Sequence, residues 1–320
     1  MHKKEVLKMY KFPFSDDNKR YHTLNFYNKN HYGKRVMKAV IDAGFTCPNA
    51  DGTKGKGGCI YCREGSGYFT ARYSDNIYDD ITSQLISEKE RIYKKFPDSL
   101  IVAYFQANTN TYAPVSILEK AYNAALDFGV AGISIGTRAD CLSDEVVELL
   151  KKTAKKTVLT VELGLQTIHD RTADIINRCY SYSEFLCGYE KLKKAGIRTC
   201  LHIINGLPCE SYDDMIATAK EVGRLSPDGV KIHLLHVNSN TALEKLYIQN
   251  KYTPMEKEEY IRTVTDQLLY IPETTVIERL TGDGDRRYLV APLWSRDKIS
   301  VLGGIDKRMA QLDLWQGKYL

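Results

Sequence analysis

Six short apolar runs recur along the chain, and between them lie segments whose apolar residues fall at helical spacing. The runs are "VMKAVIDAGF" (36–45), "SLIVAYFQ" (99–106), "GVAGISIGT" (129–137), "TVLTVELGL" (157–165), "IRTCLHIIN" (197–205) and "GVKIHLLHV" (229–237). The helical segments include "DDITSQLISEKERIYKKF", "SILEKAYNAALDFG", "DEVVELLKKTAKK" and "SYDDMIATAKEVGRL", with Ser143 and Ser211 placed as N-caps. Strands alternating with helices predict βαβ units around a parallel sheet. A helix around "PMEKEEYIRTVTDQLLYI" and a strand around "TTVIERLTG" follow, read as additions to the same body. The expected organisation is therefore an N-terminal arm (1–35), a core of six βα units (36–237) and a C-terminal extension (238–320). Pattern alone leaves open whether the six units curl into a partial barrel or lie flat. In a barrel the reactive groups gather at the C-terminal ends of the strands. Polar residues stand there: Cys47, "QANTNTY", "TRAD", Gln166, "NGLP" and "NSN".

Eight cysteines in 320 residues are too dilute for a disulfide scaffold, and "MHKKEVLKMYKFPFSDD" has no apolar signal-peptide core. No run approaches the roughly 18 apolar residues of a membrane span. The expectation is a cytoplasmic protein with no membrane partner, in which clustered cysteines hold a metal.

Three cysteines do cluster. Cys59 and Cys62 form a CxxC, and Cys47 stands before them across eleven residues that include Gly55, Gly57 and Gly58. A structural zinc site takes four ligands, and no fourth Cys or His lies nearby. Three thiolates on a four-iron cluster leave one iron open for a small chelating ligand. The glycines are expected to wrap the backbone around the cluster and point N–H groups at its sulfurs. Zinc completed by a distant residue and a thiol redox pair remain the alternatives. The other five cysteines form no second spacing motif.

On these residues the chain resembles the radical S-adenosylmethionine (SAM) enzymes. The long spacer, with Cys47, Pro48, Asn49 and "DGTKGKGGC", is similar to the small YhcC/YtqA-type members of the branch related to the elongator catalytic subunit. The resemblance implies a partial (β/α)6 barrel and a 4Fe-4S cluster held by Cys47, Cys59 and Cys62. It also implies SAM on the open iron and an external one-electron donor such as flavodoxin or ferredoxin.

The same resemblance supplies SAM contacts. "VELGLQTIHDRTADIINR" is similar to a "GxQ" strand end followed by "NR", which implies Gln166 at the ribose end and Arg178 at the carboxylate. An arginine suits a two-pronged carboxylate contact, although a surface helix also accounts for one. "HIINGLPCE" is similar to a "GLPGE" turn against the adenine. Asn205, Gly206, Leu207 and Pro208 match it, and Cys209 replaces a glycine. His202 is placed against the ribose or as a satisfied core histidine. Gln106, Asn108 and Thr109 stand where relatives carry a glycine pair. Arg138 and Asp140 of "TRAD" are active-site polar residues or a structural ion pair.

Residues 1–38 carry ten Lys and Arg against Glu5, Asp16 and Asp17, interleaved with Tyr10, Phe12, Phe14, Tyr21, Phe26, Tyr27 and Tyr32. That composition suits phosphate contacts and stacking on unpaired bases. The resemblance adds tRNA, and a wobble uridine whose 5-carboxymethylaminomethyl group is converted to 5-aminomethyl. A peptide or small-metabolite substrate and a zinc-organised RNA-binding protein are the competing readings.

Overall fold

The computed structural model describes residues 11–63, 74–282 and 284–320. Basic and aromatic residues before Lys11, and Tyr68 and Tyr73, lie outside them. Strands β1 (Val36–Ile41), β2 (Leu100–Phe105), β3 (Gly132–Thr137), β4 (Val158–Gln166), β5 (Arg198–Asn205) and β6 (Gly229–Leu234) form where the apolar runs predict them. A two-residue strand, β7 (Val237–Asn238), follows, and then β8 (Val276–Arg279) and β9 (Leu289–Ala291). One parallel sheet has the order β1, β2, β3, β4, β5, β6, β8, while β7 and β9 pair separately and antiparallel. The strand expected as an addition is thus the seventh member of the main sheet.

The helices are α1 (Leu24–Tyr32), α2 (Ile77–Tyr93), α3 (Val115–Asp127), α4 (Asp144–Ala154), α5 (Asp170–Ile175), α6 (Tyr182–Lys194), α7 (Tyr212–Leu225), α8 (Ala242–Ile248), α9 (Lys257–Leu268) and α10 (Lys298–Gln311). Ser143 caps α4 by accepting from the Val146 N–H, and Ser211 opens α7 with a capping box. The edge strand β1 is covered by α2. Glu88 accepts from the Val40 N–H, and Gln84 bonds both backbone groups of Asp42. Edge donors that would invite another strand are thereby satisfied.

The sheet is curled. Laid flat, seven strands would separate β1 from β8 by about 29 Å. Instead Lys38 Nζ of β1 stands 3.3 Å from Glu278 Oε2 of β8. Curling places one face of every strand inside, and the inward residues are small or polar: Ser134 and Gly136, Glu162 and Gly164, Cys200 and His202, Lys231 and His233. Ile133, Ile135, Val161, Leu163, Leu201, Ile203, Val230 and Ile232 alternate with them in the buried apolar core.

The first described segment closes the floor of this half-barrel. Thr23 bridges to Ile277, and Leu24, Tyr27 and Tyr32 line a small cavity with Val36, Val158 and Arg198 near the starts of the strands. Phe12 and Tyr21, expected to stack on bases, are only 4% and 5% exposed. Arg20 is buried and paired with Asp313 at 2.7 Å. Lys38 lies inside the barrel on Glu162 at 2.7 Å. Residues 23–32 therefore plug the end of the barrel remote from the strand C-termini, while Lys19, Arg20 and His22 hold the preceding residues against the C-terminal segment at Asp306, Asp313 and Gln316. The physical reason is that a curled sheet leaves its floor open, and aromatic side chains bury more apolar area there than they would as free platforms.

Candidate active site

The first three cysteines are positioned by a loop that bonds mainly to itself. Cys47 O accepts from the N–H groups of Ala50 and Asp51, Pro48 O from those of Lys54 and Gly55, and Asn49 O from that of Gly58. The N–H groups of Gly55 and Gly58 thus go to carbonyls rather than to sulfur, correcting the expected role of these glycines. Gly57 and Gly58 have φ of 78° and 75°, where a side chain is strained. A Cβ on Gly55 would stand 2.6 Å from Cys179 Sγ and closer still to Asn49 Oδ1.

Two asparagines lock the loop to the body. Asn49 is completely buried; its Nδ2 donates to Asn177 O and lies 3.5 Å from Cys59 Sγ. Asn177, with φ 54°, donates back to Gly58 O at 2.7 Å. From the other side Asn108 Nδ2 donates to Phe45 O at 2.8 Å and Thr109 N to Thr46 O at 3.2 Å, fixing the residues before Cys47. Sequence reasoning missed Asn110, which is buried and donates to the carbonyls of Phe105, Ala107 and Gly136.

Cys47, Cys59 and Cys62 face one cavity of about 340 Å³ at the C-terminal ends of the strands. Gln106, Asn108, Thr109, Arg138, Gln166, Arg178 and His202 line it too. Asn205, Gly206 and Leu207 do not. The Asn205 amide pairs with that of Gln267 at 2.8 Å in both directions, and Gly206 and Leu207 line a separate cavity with Cys209, Tyr252 and Met255. Cys209 has φ 63°, in the left-handed region that favours glycine.

Arg138 grips Asp140 with two bonds, at 3.0 and 2.9 Å, and donates to Arg178 O at 3.0 Å. Arg178 is only 1% exposed and gives Nε to Tyr180 O and Nη1 to the carbonyls of Leu165 and Thr167. Its Nη2 makes no hydrogen bond, and Asp170 is the nearest carboxylate at 3.6 Å. Both guanidiniums lie over the Tyr180 ring, 4.6 and 4.5 Å from its centre. Gln166 sits at a bulge with φ 59°, and its amide folds back to donate to the carbonyls of Gly164 and Leu165 at 2.7 and 2.9 Å.

Below this level the barrel holds a charged network that the sequence reading did not identify. Glu162 Oε2 accepts from Lys231, from Tyr104 OH at 2.8 Å and pairs with His202 Nε2 at 2.9 Å, while Oε1 takes Lys38. Burial alone would raise the Glu162 carboxyl, but Lys231 and Lys38 hold it well below the usual carboxylate range. Burial, then Lys231, lowers His202. The available signal was a lone charge at every second position of an apolar strand, as in "TVELG" and "VKIHL".

The cysteines fit a group ligated by thiolates. Among the described residues no three His, Cys, Asp or Glu side chains close on a point as a single ion requires. The three thiols instead stand around a space, with an amide donor on one sulfur and the Arg138 guanidinium in the field of Cys47. Burial, then Cys62, pushes the Cys59 thiol up to about 11, so metal ligation must displace its proton.

Comparison with known proteins agrees with this geometry. Residues 52–222 match the Radical SAM superfamily, and residues 227–311 match the Radical_SAM C-terminal domain. The chain is 45% identical to the uncharacterized protein YtqA of Bacillus subtilis over 310 residues, 96% of this chain and 95% of YtqA. It is 26% identical to the tRNA uridine(34) acetyltransferase of Methanocaldococcus jannaschii over 174 residues, 52% of this chain and 31% of that protein. Among solved structures, Elp3 of Methanocaldococcus infernus shares the fold, with a TM-score of 0.66 and 17% identity over 88% of this chain and 64% of that one. No helix among the described residues is long and apolar enough to cross a membrane.

Proposed function

The chain belongs to the radical SAM superfamily, and from that premise we propose that it modifies the wobble uridine of tRNA in the cytoplasm, converting a 5-carboxymethylaminomethyl group to 5-aminomethyl. It is an enzyme whose cofactors are a 4Fe-4S cluster and SAM, and the zinc-organised alternative falls with that membership. When bound and reduced, these supply an oxidant able to remove hydrogen from an unactivated carbon.

The observation that carries the proposal is the single cavity with three cysteines at its mouth and a charged network at its floor. In our assignment Cys47, Cys59 and Cys62 hold the cluster, and Gln106, Gln166, Arg138, Arg178 and His202 face SAM. Arg178 Nη2, which makes no hydrogen bond and has Asp170 at 3.6 Å, is a donor suited to an anion. Asn108 and Thr109 act one step back, by holding the residues before Cys47. An external donor such as flavodoxin or ferredoxin delivers the electron.

What supports tRNA is the likeness to the tRNA uridine(34) acetyltransferase. Leu24, Tyr27 and Tyr32 lie at the floor and Phe12 and Tyr21 are buried, so these side chains do not meet RNA at the cavity mouth. The exposed edge beside Cys62 suits that task better. There Arg63 lies 3.4 Å from the centre of the Tyr288 ring, a cationic and aromatic surface for a phosphate and a base, with Arg287 beside it paired to Asp285 at 2.6 Å.

The test supplies anaerobically reconstituted protein with reductant, SAM and tRNA bearing the 5-carboxymethylaminomethyl-uridine, and measures nucleosides by mass spectrometry. The proposal expects 5-aminomethyl-uridine to appear together with 5'-deoxyadenosine. Untouched tRNA alongside consumption of a peptide or small metabolite would overturn the tRNA assignment and leave the family chemistry in place.

A further inference from the structure

Charges in the lower half of the cavity do not balance. Among the described residues lining it, Glu162 is the one carboxylate, and four donors already occupy its two oxygens: Lys38, Lys231, His202 and Tyr104. Glu278, beneath it, takes Lys38 and Arg198, each at 3.3 Å. Arg138 is committed to Asp140, and Arg178 mainly to backbone carbonyls. Arg279, at the end of β8 and opposite Lys231 in register, faces the same cavity, and its guanidinium has no hydrogen bond or ion pair to any described residue.

A second group nearby is also unsatisfied. His233 follows Lys231 by two residues on the inward face of β6, and its Nε2 is buried without a hydrogen-bond partner. Burial, then His202 and Arg279, holds this ring well below the usual histidine range, so it is neutral and can present one N–H. A half-buried guanidinium without an anion and a buried ring nitrogen without a partner both oppose folding. An anion arriving between them offsets both costs.

We infer that Arg279, with His233 beside it, binds a carboxylate that the substrate carries into the barrel. The inference rests on reading this cavity as the site of the radical reaction, and it names the substrate's chemistry: an organic molecule with a carboxylate close to the carbon that is attacked. The fork of a guanidinium matches the two oxygens of a carboxylate, whereas a lysine there would offer a point charge. SAM is the other source of a carboxylate in this cavity.

The experiment measures binding to reconstituted, full-length protein in wild type, Arg279→Gln and Arg279→Lys. Ligands are SAM, then, on SAM-loaded protein, 5-carboxymethylaminomethyl-uridine as the free nucleoside, N-methylglycine and N-methylglycinamide. The expected result is that Arg279→Gln weakens both carboxylates by about tenfold to a hundredfold, with Arg279→Lys between. SAM affinity stays unchanged, and the amide binds no variant with preference. Equal melting temperatures of the three proteins exclude misfolding as the cause. If SAM affinity falls by the same factor, the anion belongs to SAM and the inference is overturned. Equal binding of carboxylate and amide overturns it too. If N-methylglycine keeps its dependence on Arg279 while the nucleoside fails to bind, the subsite stands and the wobble-uridine reading fails. If the nucleoside binds wild type and Arg279→Gln alike, that reading survives and the anchor fails.

Discussion

The cysteine loop and the barrel interior stand at opposite ends of one cavity and are built in opposite ways. The loop is largely local: Cys47, Asn49 and Pro48 close it on backbone groups at most ten residues away, and a few distant groups, among them Asn177, Asn108 and the Asp140 partner of Lys54, tie it down. The interior is assembled from distant side chains. Lys38 reaches Glu162 across 124 residues and Glu278 across 240. A local device tolerates change around it and depends on a few glycines and asparagines. A non-local one depends on every strand being in place, and its energy is that of buried charges which must find one another.

The sharpest way to break the first region is Cys59→Ala. It is expected to abolish both iron retention and 5'-deoxyadenosine formation, read by iron analysis and by chromatography, while urea unfolding of the metal-free chain shifts little. Breaking the second region should have the reverse signature. Glu162→Ala leaves Lys38 and Lys231 buried without their shared carboxylate and should cost about 3–5 kcal/mol in urea unfolding of the metal-free protein. A loss below 1 kcal/mol would show that water replaces the carboxylate and that the interior is wetter than its geometry implies.

Gly55→Ala probes how tightly the loop is folded. The added methyl meets Asn49 Oδ1 and Cys179 Sγ, and overpacking of this kind costs about 1–3 kcal/mol. Reduced iron occupancy after reconstitution is the expected readout, and full occupancy would show that the loop rearranges freely. The smallest effect is on pH dependence. His202 and His233 are held neutral in the folded protein, so above about pH 6.5 neither state takes up protons and their contribution is complete. As pH falls below that value the unfolded chain gains protons that the folded protein refuses. Stability should drop by up to about 1.4 kcal/mol per pH unit for each histidine, with Glu162 adding to the loss at still lower pH. Urea midpoints between pH 8 and pH 5 measure this, and His202→Asn should flatten the slope.

Much of the fold was legible because the governing interactions are periodic. Each of the six apolar runs became a strand within a few residues, and Ser143 and Ser211 capped the helices they precede. The cysteine loop was legible for a related reason: a CxxC and a spacer of glycines describe a local object. The strand at Val276–Arg279 was visible as a strand but not as the seventh member of the sheet, since partners are chosen by packing and not by local pattern. The aromatic residues near the N-terminus misled in the same way. A tyrosine that stacks on a base and a tyrosine packed inside the fold have the same side chain, and Tyr21 proves to be the second kind.

By itself, then, the amino-acid order determined that β and α units alternate, that the sheet is parallel, and that three cysteines share one loop. Tertiary structure alone decided that the sheet curls until Lys38 meets Glu278, that Glu162 gathers Lys38, Lys231, His202 and Tyr104, and that Arg279 is left without an anion. The division has one physical cause. Hydrophobic period, capping and turn chemistry act over a few residues and are written along the chain, whereas a buried charge is stable only beside its counter-charge, and which residues stand beside it is settled when the strands close.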